Sequence, residues 1–229
     1  MIVWGGWDGH EPEQVAAIFA REIKGMGGTA DVFTSLDAFV EQDLLTYDLI
    51  VPVWTMGQIT KEQEKAVAGA VAKGVGMAGC HGGMCDAFRN AVEWQFMTGG
   101  NWVAHPGGDG VEYTVNIKRG AHPIVEGLSD FKVASEQYYL HVDPAVKVLA
   151  TTEFPTVDGP HSRNGRVDMP VVWIKYWGDG RVFYCSLGHK ADIVEMPEVL
   201  ELMRRGFRWA AEGKARAGEA ADFETTGWY

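Results

Sequence analysis

In the first hundred residues, short apolar runs alternate with stretches of helical spacing, and this alternation narrows the fold more than any other feature. Met1–Trp4 is an apolar run ending in Gly5-Gly6, which reads as a buried strand entering a loop. From Glu11 to Met26, Val15, Ile18, Phe19, Glu22 and Ile23 fall on one helical face, with Pro12 in the first turn and Gly27-Gly28 as the stop. Thr29–Phe33 follows as a second strand, Leu36–Leu44 as a short helical piece and Leu49–Trp54 as a third strand. Thr60 is a helix N-cap with Gln63 at the capping-box position, and that helix runs to about Lys73. Gly76–Cys80 is a fourth strand, and Asp86 is placed to cap a helix over Ala87–Phe96. Strict strand–helix alternation predicts a parallel sheet with helices on both faces, because each crossover must pack a helix back on the sheet.

The second half is less regular. Strands are expected at Val111–Ile117, Val146–Thr152, Val171–Tyr176 and Arg181–Ser186, the last two joined as an antiparallel hairpin through Trp177-Gly178-Asp179-Gly180. Pro197–Glu212 is a final amphipathic helix, with Val199, Leu200, Met203 and Phe207 facing the sheet. The expected fold class is α/β, in three layers. The sheet is mostly parallel between two helical layers and gains an antiparallel β extension in the second half. Residues 1–212 read as a single domain, and 213–229 as a small, polar, acidic tail, loosely ordered and ending in Trp228-Tyr229.

The charge pattern removes some classes of function. A formal charge of -11 leaves no basic surface to displace counterions from phosphates, so no nucleic-acid partner is expected. No stretch reaches the roughly 20 apolar residues of a membrane span, and a strand-like segment stands where a secretory leader would begin. Three cysteines, Cys80, Cys85 and Cys185, are an odd number without zinc-type spacing, which fits reduced thiols. The expected location is the cytoplasm.

In an open parallel sheet, ligands bind beyond the carboxyl ends of the strands. Applied here, that rule gathers a polar set. The first strand delivers Trp7-Asp8-Gly9-His10-Glu11, the third Trp54-Thr55-Met56-Gly57 and the fourth Cys80-His81-Gly82-Gly83. The strand Arg181–Ser186 delivers Leu187-Gly188-His189. Three of the seven histidines therefore occupy one kind of position, the loop just past a strand. Such imidazoles suit either of two chemistries. They can be metal ligands, with a carboxylate such as Glu11 or Glu136 completing the shell, or one of them can be a general base or acid. The compact HExxH spacing is absent, so any ligands must meet through the fold. Tryptophans beside turn glycines (Trp4, Trp7, Trp54, Trp102) are core residues in the plain reading and sugar-stacking platforms in the functional one.

Gly79-Cys80-His81-Gly82-Gly83 has the layout of a nucleophile elbow, Gly-x-nucleophile-x-Gly. Aligning the outer glycines puts His81 at the centre, and Cys80 on the strand end pointing elsewhere. His105, before Pro106-Gly107-Gly108, is as well explained by a turn as by a site. His122-Pro123-Ile124 reads as structural and His161 as exposed and silent. SEQYYLHVDP (135–144) reads as a polar loop.

Taken in order, VWGGWDGHEP (3–12), VPVWTMGQIT (51–60), GCHGGMCDAFR (79–89), WVAHPGG (102–108), HPIVEGLSDF (122–131), SEQYYLHVDP (135–144), MPVVW (169–173) and GRVFYCSLGH (180–189) resemble the ThuA-like family of trehalose-utilisation proteins over roughly residues 1–212. The resemblance implies a flavodoxin-like fold related to class I glutamine amidotransferases without their thiol nucleophile. Cys80 departs from the apolar residue expected at that position. The resemblance adds Glu136, Tyr138 and His141 to the site and implies a sugar substrate, in company with a sugar dehydrogenase that makes 3-keto sugars. The expected catalytic residues are His81, Glu136 and Tyr138, and the expected substrate contacts are Trp7, Asp8, Trp54, His105 and His141. His10, His189 and His81 are the expected ligands of a divalent metal, zinc or manganese. No nucleotide cofactor is expected, and a homo-oligomer is the default. The expected reaction is proton abstraction from a 3-keto-disaccharide leading to elimination, net hydrolysis or isomerisation. The alternative is a sugar-binding or scaffolding protein that keeps the fold without the chemistry.

Overall fold

A computed structural model describes residues 1–154 and 160–217. In chain order its strands and helices are β1 (Ile2–Gly6), α1 (Pro12–Gly25), β2 (Val32–Phe33), α2 (Ala38–Glu41), β3 (Leu49–Thr55), α3 (Lys61–Ala72), β4 (Gly76–Cys80), α4 (Gly82–Cys85) and α5 (Val92–Thr98). Then come β5 (Gly100–Ala104), β6 (Val111–Ile117), β7 (Phe131–Ser135), β8 (Tyr139–Val142), β9 (Lys147–Phe154), β10 (Val167–Trp177), β11 (Gly180–Cys185), α6 (Ala191–Val194) and α7 (Pro197–Gly213).

Nine strands form one sheet in the order β2-β1-β3-β4-β11-β10-β9-β6-β7, and β5 pairs with β8 in a separate antiparallel ribbon. From β2 to β11 neighbouring strands are parallel, and from β11 to β7 they are antiparallel. The expected division into a parallel half and an antiparallel extension is therefore present. The chain reverses its direction of travel across the sheet between β1 and β3, and such a switch point opens a crevice at the carboxyl ends of the strands.

Each face of the sheet has its own core. One is built from Val15, Phe19, Val199, Met203 and Phe207 of α1 and α7 over Val51, Ala78 and Phe183. The other packs Val67 and Val71 of α3 with Trp94 and Met97 of α5 over Ile50, Met77, Tyr184 and Trp173. Gly206 lets α7 lie directly on β11, since a Cβ there would run into the Phe183 ring. The β10–β11 hairpin turns at Gly178-Asp179, with Trp177 opposite Gly180.

Several boundaries differ from the sequence reading. The second strand shrinks from Thr29–Phe33 to Val32–Phe33, a two-residue edge pairing. The helix expected over Ala87–Phe96 starts only at Val92 as α5, and the short helix α4 precedes it, with its C-cap rather than the expected N-cap at Asp86. Its backbone carbonyl and that of Ala87 accept from Met56 and Gly57 N–H, a tie to the β3 exit that helical geometry would forbid. The Asp86 side chain instead takes a bidentate contact from Arg89. The segment 135–144, read as loop, supplies the end of β7 and the whole of β8. Strand β10 begins earlier than Val171 and passes Pro170 at a bulge, where no ladder donor is needed. Gly213 closes α7 and a 3-10 turn follows over Lys214–Arg216, while residues 218–229 of the expected tail lie outside the described residues. Among the described residues no helix is long and apolar enough to cross a membrane.

The capping box on α3 is complete: Thr60 Oγ1 accepts from Gln63 N–H at 3.2 Å, and Gln63 Oε1 accepts from Thr60 N–H at 3.0 Å. Gln63 also donates to Asp37 at 3.0 Å, which ties α3 to the segment before α2. Thr60→Ala should therefore cost about 1 kcal/mol. Urea unfolding should show this as a lower midpoint at unchanged slope.

Candidate functional site

Three strand exits meet at one point. His10 closes the 3-10 turn Asp8–His10 after β1, His81 follows β4 directly, and His189 lies four residues past β11. Their rings pack edge to face, with centroids 4.7 Å apart for His10–His81, 5.0 Å for His10–His189 and 5.5 Å for His81–His189. The fourth member arrives from the antiparallel extension. Glu136, just past β7, brings Oε2 to 3.1 Å from His81 Nε2, 3.3 Å from His189 Nδ1 and 3.9 Å from His10 Nε2. All four side chains are buried, and one donor atom from each lies within 4.8 Å of the others.

Local backbone geometry explains the aim. His81 has φ 49°, ψ −135°, an uncommon conformation for a residue with a side chain, held by His81 N–H donating to the Cys185 carbonyl at 2.7 Å and by Tyr184 Oη donating to the His81 carbonyl at 3.1 Å. His81 is thus the centre of the elbow, as its glycine spacing predicts. Gly82 is required beside it, since a Cβ there would come within 2.8 Å of both Thr55 and the His10 ring. Glu136 is set by its neighbours: Tyr113 Oη donates to its carbonyl at 3.0 Å, and Gln137 donates to Thr152 Oγ1 at 2.9 Å.

The rings are oriented from behind. His81 Nδ1 stands 2.8 Å from the Ser186 carbonyl, which only accepts, so Nδ1 carries the hydrogen. His10 Nδ1 is 2.9 Å from Thr55 Oγ1, a contact that bridges the switch point between β1 and β3. Burial, reinforced by His81 and His189 and opposed by Glu136, lowers the His10 pKa to about 3. Burial also lowers that of His81, against the pull of Glu136. Glu136 moves the other way relative to burial. Desolvation raises it, but contacts from His189 and His81 outweigh this and hold it well below the usual carboxylate range.

A neutral His81 with its hydrogen on Nδ1 presents a lone pair on Nε2, 3.1 Å from an ionised carboxylate oxygen. Two electron-rich atoms at that distance repel unless a cation lies between them. Three imidazoles and a carboxylate converging with rear hydrogen-bond partners form the donor set that a divalent transition metal takes.

The remaining expected residues fall into two groups. His105 reaches the cluster rim, with Nε2 3.7 Å from Glu136 Oε1, and Tyr138 stacks on His81 at 3.9 Å between ring centroids. Trp7 is 45% exposed and meets the His10 ring edge on at 4.8 Å. Asp8 is exposed in the same turn. Trp54, by contrast, lies against the backbone of Gly5, Gly6 and Gly57, and His141 is an exposed strand residue opposite Asn101. Neither is part of the four-residue cluster. Glu11, considered as a ligand, instead accepts from Ala191 N–H at 3.0 Å and caps α6. The Cys80 thiol is buried and pushed up by that burial, away from the thiolate form. His122 caps the 3-10 turn Pro123–Val125, and His161 is exposed beside Tyr139.

Sequence reasoning missed two features of the surroundings. Arg89 lies 4.2 Å over the Trp102 ring, and Asp109 contacts both His189 and Lys190. Neither residue sits in a pattern that periodicity or strand-end reasoning selects.

The chain is similar in structure to a ThuA-like protein from Parabacteroides merdae, with a TM-score of 0.71 at 21% identity over 96% of this chain and 91% of that one. A ThuA-like protein from Bacteroides uniformis gives a TM-score of 0.73 at 20% identity over 91% and 89%. A cytoplasmic protein from Salmonella typhimurium shares the fold more distantly, with a TM-score of 0.59 at 13% identity over 85% and 86%. No curated protein matches. The ThuA family model, described as trehalose utilisation, matches residues 1–210, and the chain belongs to that family.

Proposed function

We propose that this protein is a metal-dependent enzyme of sugar utilisation that acts on a 3-keto-disaccharide. The observation that carries the reading is the lone pair of His81 Nε2 facing the Glu136 carboxylate among two further imidazoles, an arrangement that calls for a cation. Family membership supports a sugar as the substrate class.

His10, His81 and His189 hold the metal in this reading, with Glu136 Oε2 at its edge. Bound there, a divalent cation would polarise the ketone of the sugar and stabilise negative charge on its oxygen. The protein's own groups do the rest. A ketone at C3 acidifies the C2 hydrogen, and Glu136 takes that proton. The electron pair of the C–H bond forms a C1–C2 double bond, the C1–O bond breaks, and the departing sugar oxygen takes up a proton. Water then adds at C1 and returns a hydrogen to C2, so the sum is hydrolysis. Isomerisation or epimerisation of a keto sugar would use the same base.

Tyr138, stacked on His81, is the hydroxyl donor to the ketone oxygen in this scheme. His105, with Nε2 beside Glu136 Oε1, relays protons at the solvent side. Trp7 offers its exposed indole to the apolar face of a sugar ring, and Asp8 offers an acceptor for hydroxyls. Trp54 and His141 would act only on an outlying part of the substrate.

Purified protein loaded with zinc or manganese should release glucose from 3-ketotrehalose, and Glu136→Gln should lower the rate by about 10²–10⁴-fold. Absence of release with zinc, manganese and magnesium alike would refute the catalytic assignment, and sugar binding without turnover would favour a binding protein.

The acid behaviour follows from the histidines. His10 folded refuses a proton until about pH 3, while unfolded it accepts one near 6.5. Metal-free protein should therefore lose stability as pH falls below that unfolded value, because the unfolded chain binds more protons. Bound metal should nonetheless persist at about pH 5.5, where an exposed histidine site would release it. Thermal melts across pH, with elemental analysis after dialysis, check both.

A further inference from the structure

One carboxylate touches the histidine cluster from outside. Asp109 lies in the segment His105–Gly110, which joins β5 to β6 and has positive φ at Gly107, Gly108 and Gly110. Its Oδ2 is 3.4 Å from His189 Nε2 and 2.9 Å from Lys190 Nζ. On the far side of the same ring, Nδ1 is buried, has no hydrogen-bond partner and lies 3.3 Å from Glu136 Oε2.

We infer that Asp109 is a positioning residue that sets the tautomer of His189: its carboxylate holds the hydrogen on Nε2, so that the Nδ1 lone pair faces the point shared by His10, His81 and Glu136. The inference rests on the metal reading of that cluster and adds to it the group that makes the third imidazole a competent donor.

A neutral imidazole carries one N–H, and its position decides whether the other nitrogen can ligate. His189 stands between two carboxylates, Glu136 at Nδ1 and Asp109 at Nε2. Alone, Glu136 would draw the hydrogen to Nδ1 and remove that nitrogen from the donor set. Asp109 opposes this from behind. The other two rings already have rear partners, the Ser186 carbonyl for His81 and Thr55 Oγ1 for His10. Asp109 stands at the corresponding rear position of His189, its Oδ2 3.4 Å from Nε2, where proteins place the outer-shell groups that orient metal-binding imidazoles.

The loop bears a second contact with the centre, since His105 at its start lies 3.7 Å from Glu136 Oε1. Asp109 could therefore act merely as a loop anchor through Lys190, and the test separates the two roles. Lys190→Ala removes the anchor and keeps the His189 contact, whereas Asp109→Ala removes both. Asp109→Asn keeps an acceptor oxygen without the charge.

Metal-free wild type and the three variants would be titrated with zinc by calorimetry. The His189 ring tautomer would be read in the same metal-free samples from long-range ¹H–¹⁵N spectra. Wild type should show the Nε2–H form. Asp109→Ala should shift it and weaken zinc binding about 10–100-fold, Asp109→Asn should recover part of both, and Lys190→Ala should stay within about twofold of wild type. Equal losses in Asp109→Ala and Lys190→Ala, unchanged affinity in Asp109→Ala, or an Nδ1–H form in wild type would each overturn the assignment. Should wild type bind no zinc, the metal reading itself fails. The tautomer comparison then decides the role of Asp109 alone: an Nε2–H form lost in Asp109→Ala supports it, and an unchanged spectrum refutes it.

Discussion

A single carboxylate oxygen organises the functional end of this molecule. Glu136 Oε2 is the atom on which His10, His81 and His189 converge, and it is ionised in a place where burial alone would protonate it. Leaving a charge buried without compensation costs several kcal/mol, so the surrounding chain has to answer it. The strand exits of the parallel half supply the imidazoles, and the antiparallel half supplies the carboxylate. The contact therefore joins the two parts of the sheet at the site, beside the backbone ladders of β10 and β11 and the apolar core that both parts share.

Strain collects around this junction. Among the described residues, the non-glycine positions with positive φ are Glu11, Met56 and His81, all beyond parallel strands at the carboxyl edge of the sheet. Each is held by bonds made elsewhere. Glu11 caps α6 at Ala191, Met56 N–H is taken by the Asp86 carbonyl, and His81 is fixed by the Cys185 and Tyr184 contacts. Such conformations cost about 1–3 kcal/mol each and persist where several neighbours specify them together.

The legible part of the sequence was the part governed by period and position. The strands β1, β3 and β4 and the helices α1, α3 and α7 follow from apolar spacing, Pro12, the Thr60–Gln63 box and glycine stops. Once the parallel sheet was inferred, His10, His81 and His189 followed from the rule that strands deliver their loops to one edge. Glu136 was named only beside Glu11 as one carboxylate that could complete the shell, and it and Tyr138 were placed in the site by family resemblance, because their placement depends on how β7 returns across the antiparallel half, and that topology leaves no local mark. The interrupted helix after His81 was illegible for a similar reason. Asp86 looks like the N-cap of a helix that follows, but it ends α4 instead, and the carbonyls of Asp86 and Ala87 are taken by Met56 and Gly57 N–H. Asp109 was invisible because an acid in a glycine-rich loop has many uses.

The elbow at His81 has a wider consequence. Its turn, its glycine neighbours and the bonds to Cys185 and Tyr184 hold whichever residue occupies the central position at the mouth of the crevice, independently of that residue's chemistry. The backbone thus behaves as a socket with an interchangeable tip. An imidazole in it would equip the scaffold to grip a cation, as a thiol at the same point would equip it for covalent attack, with no rebuilding of the layers beneath.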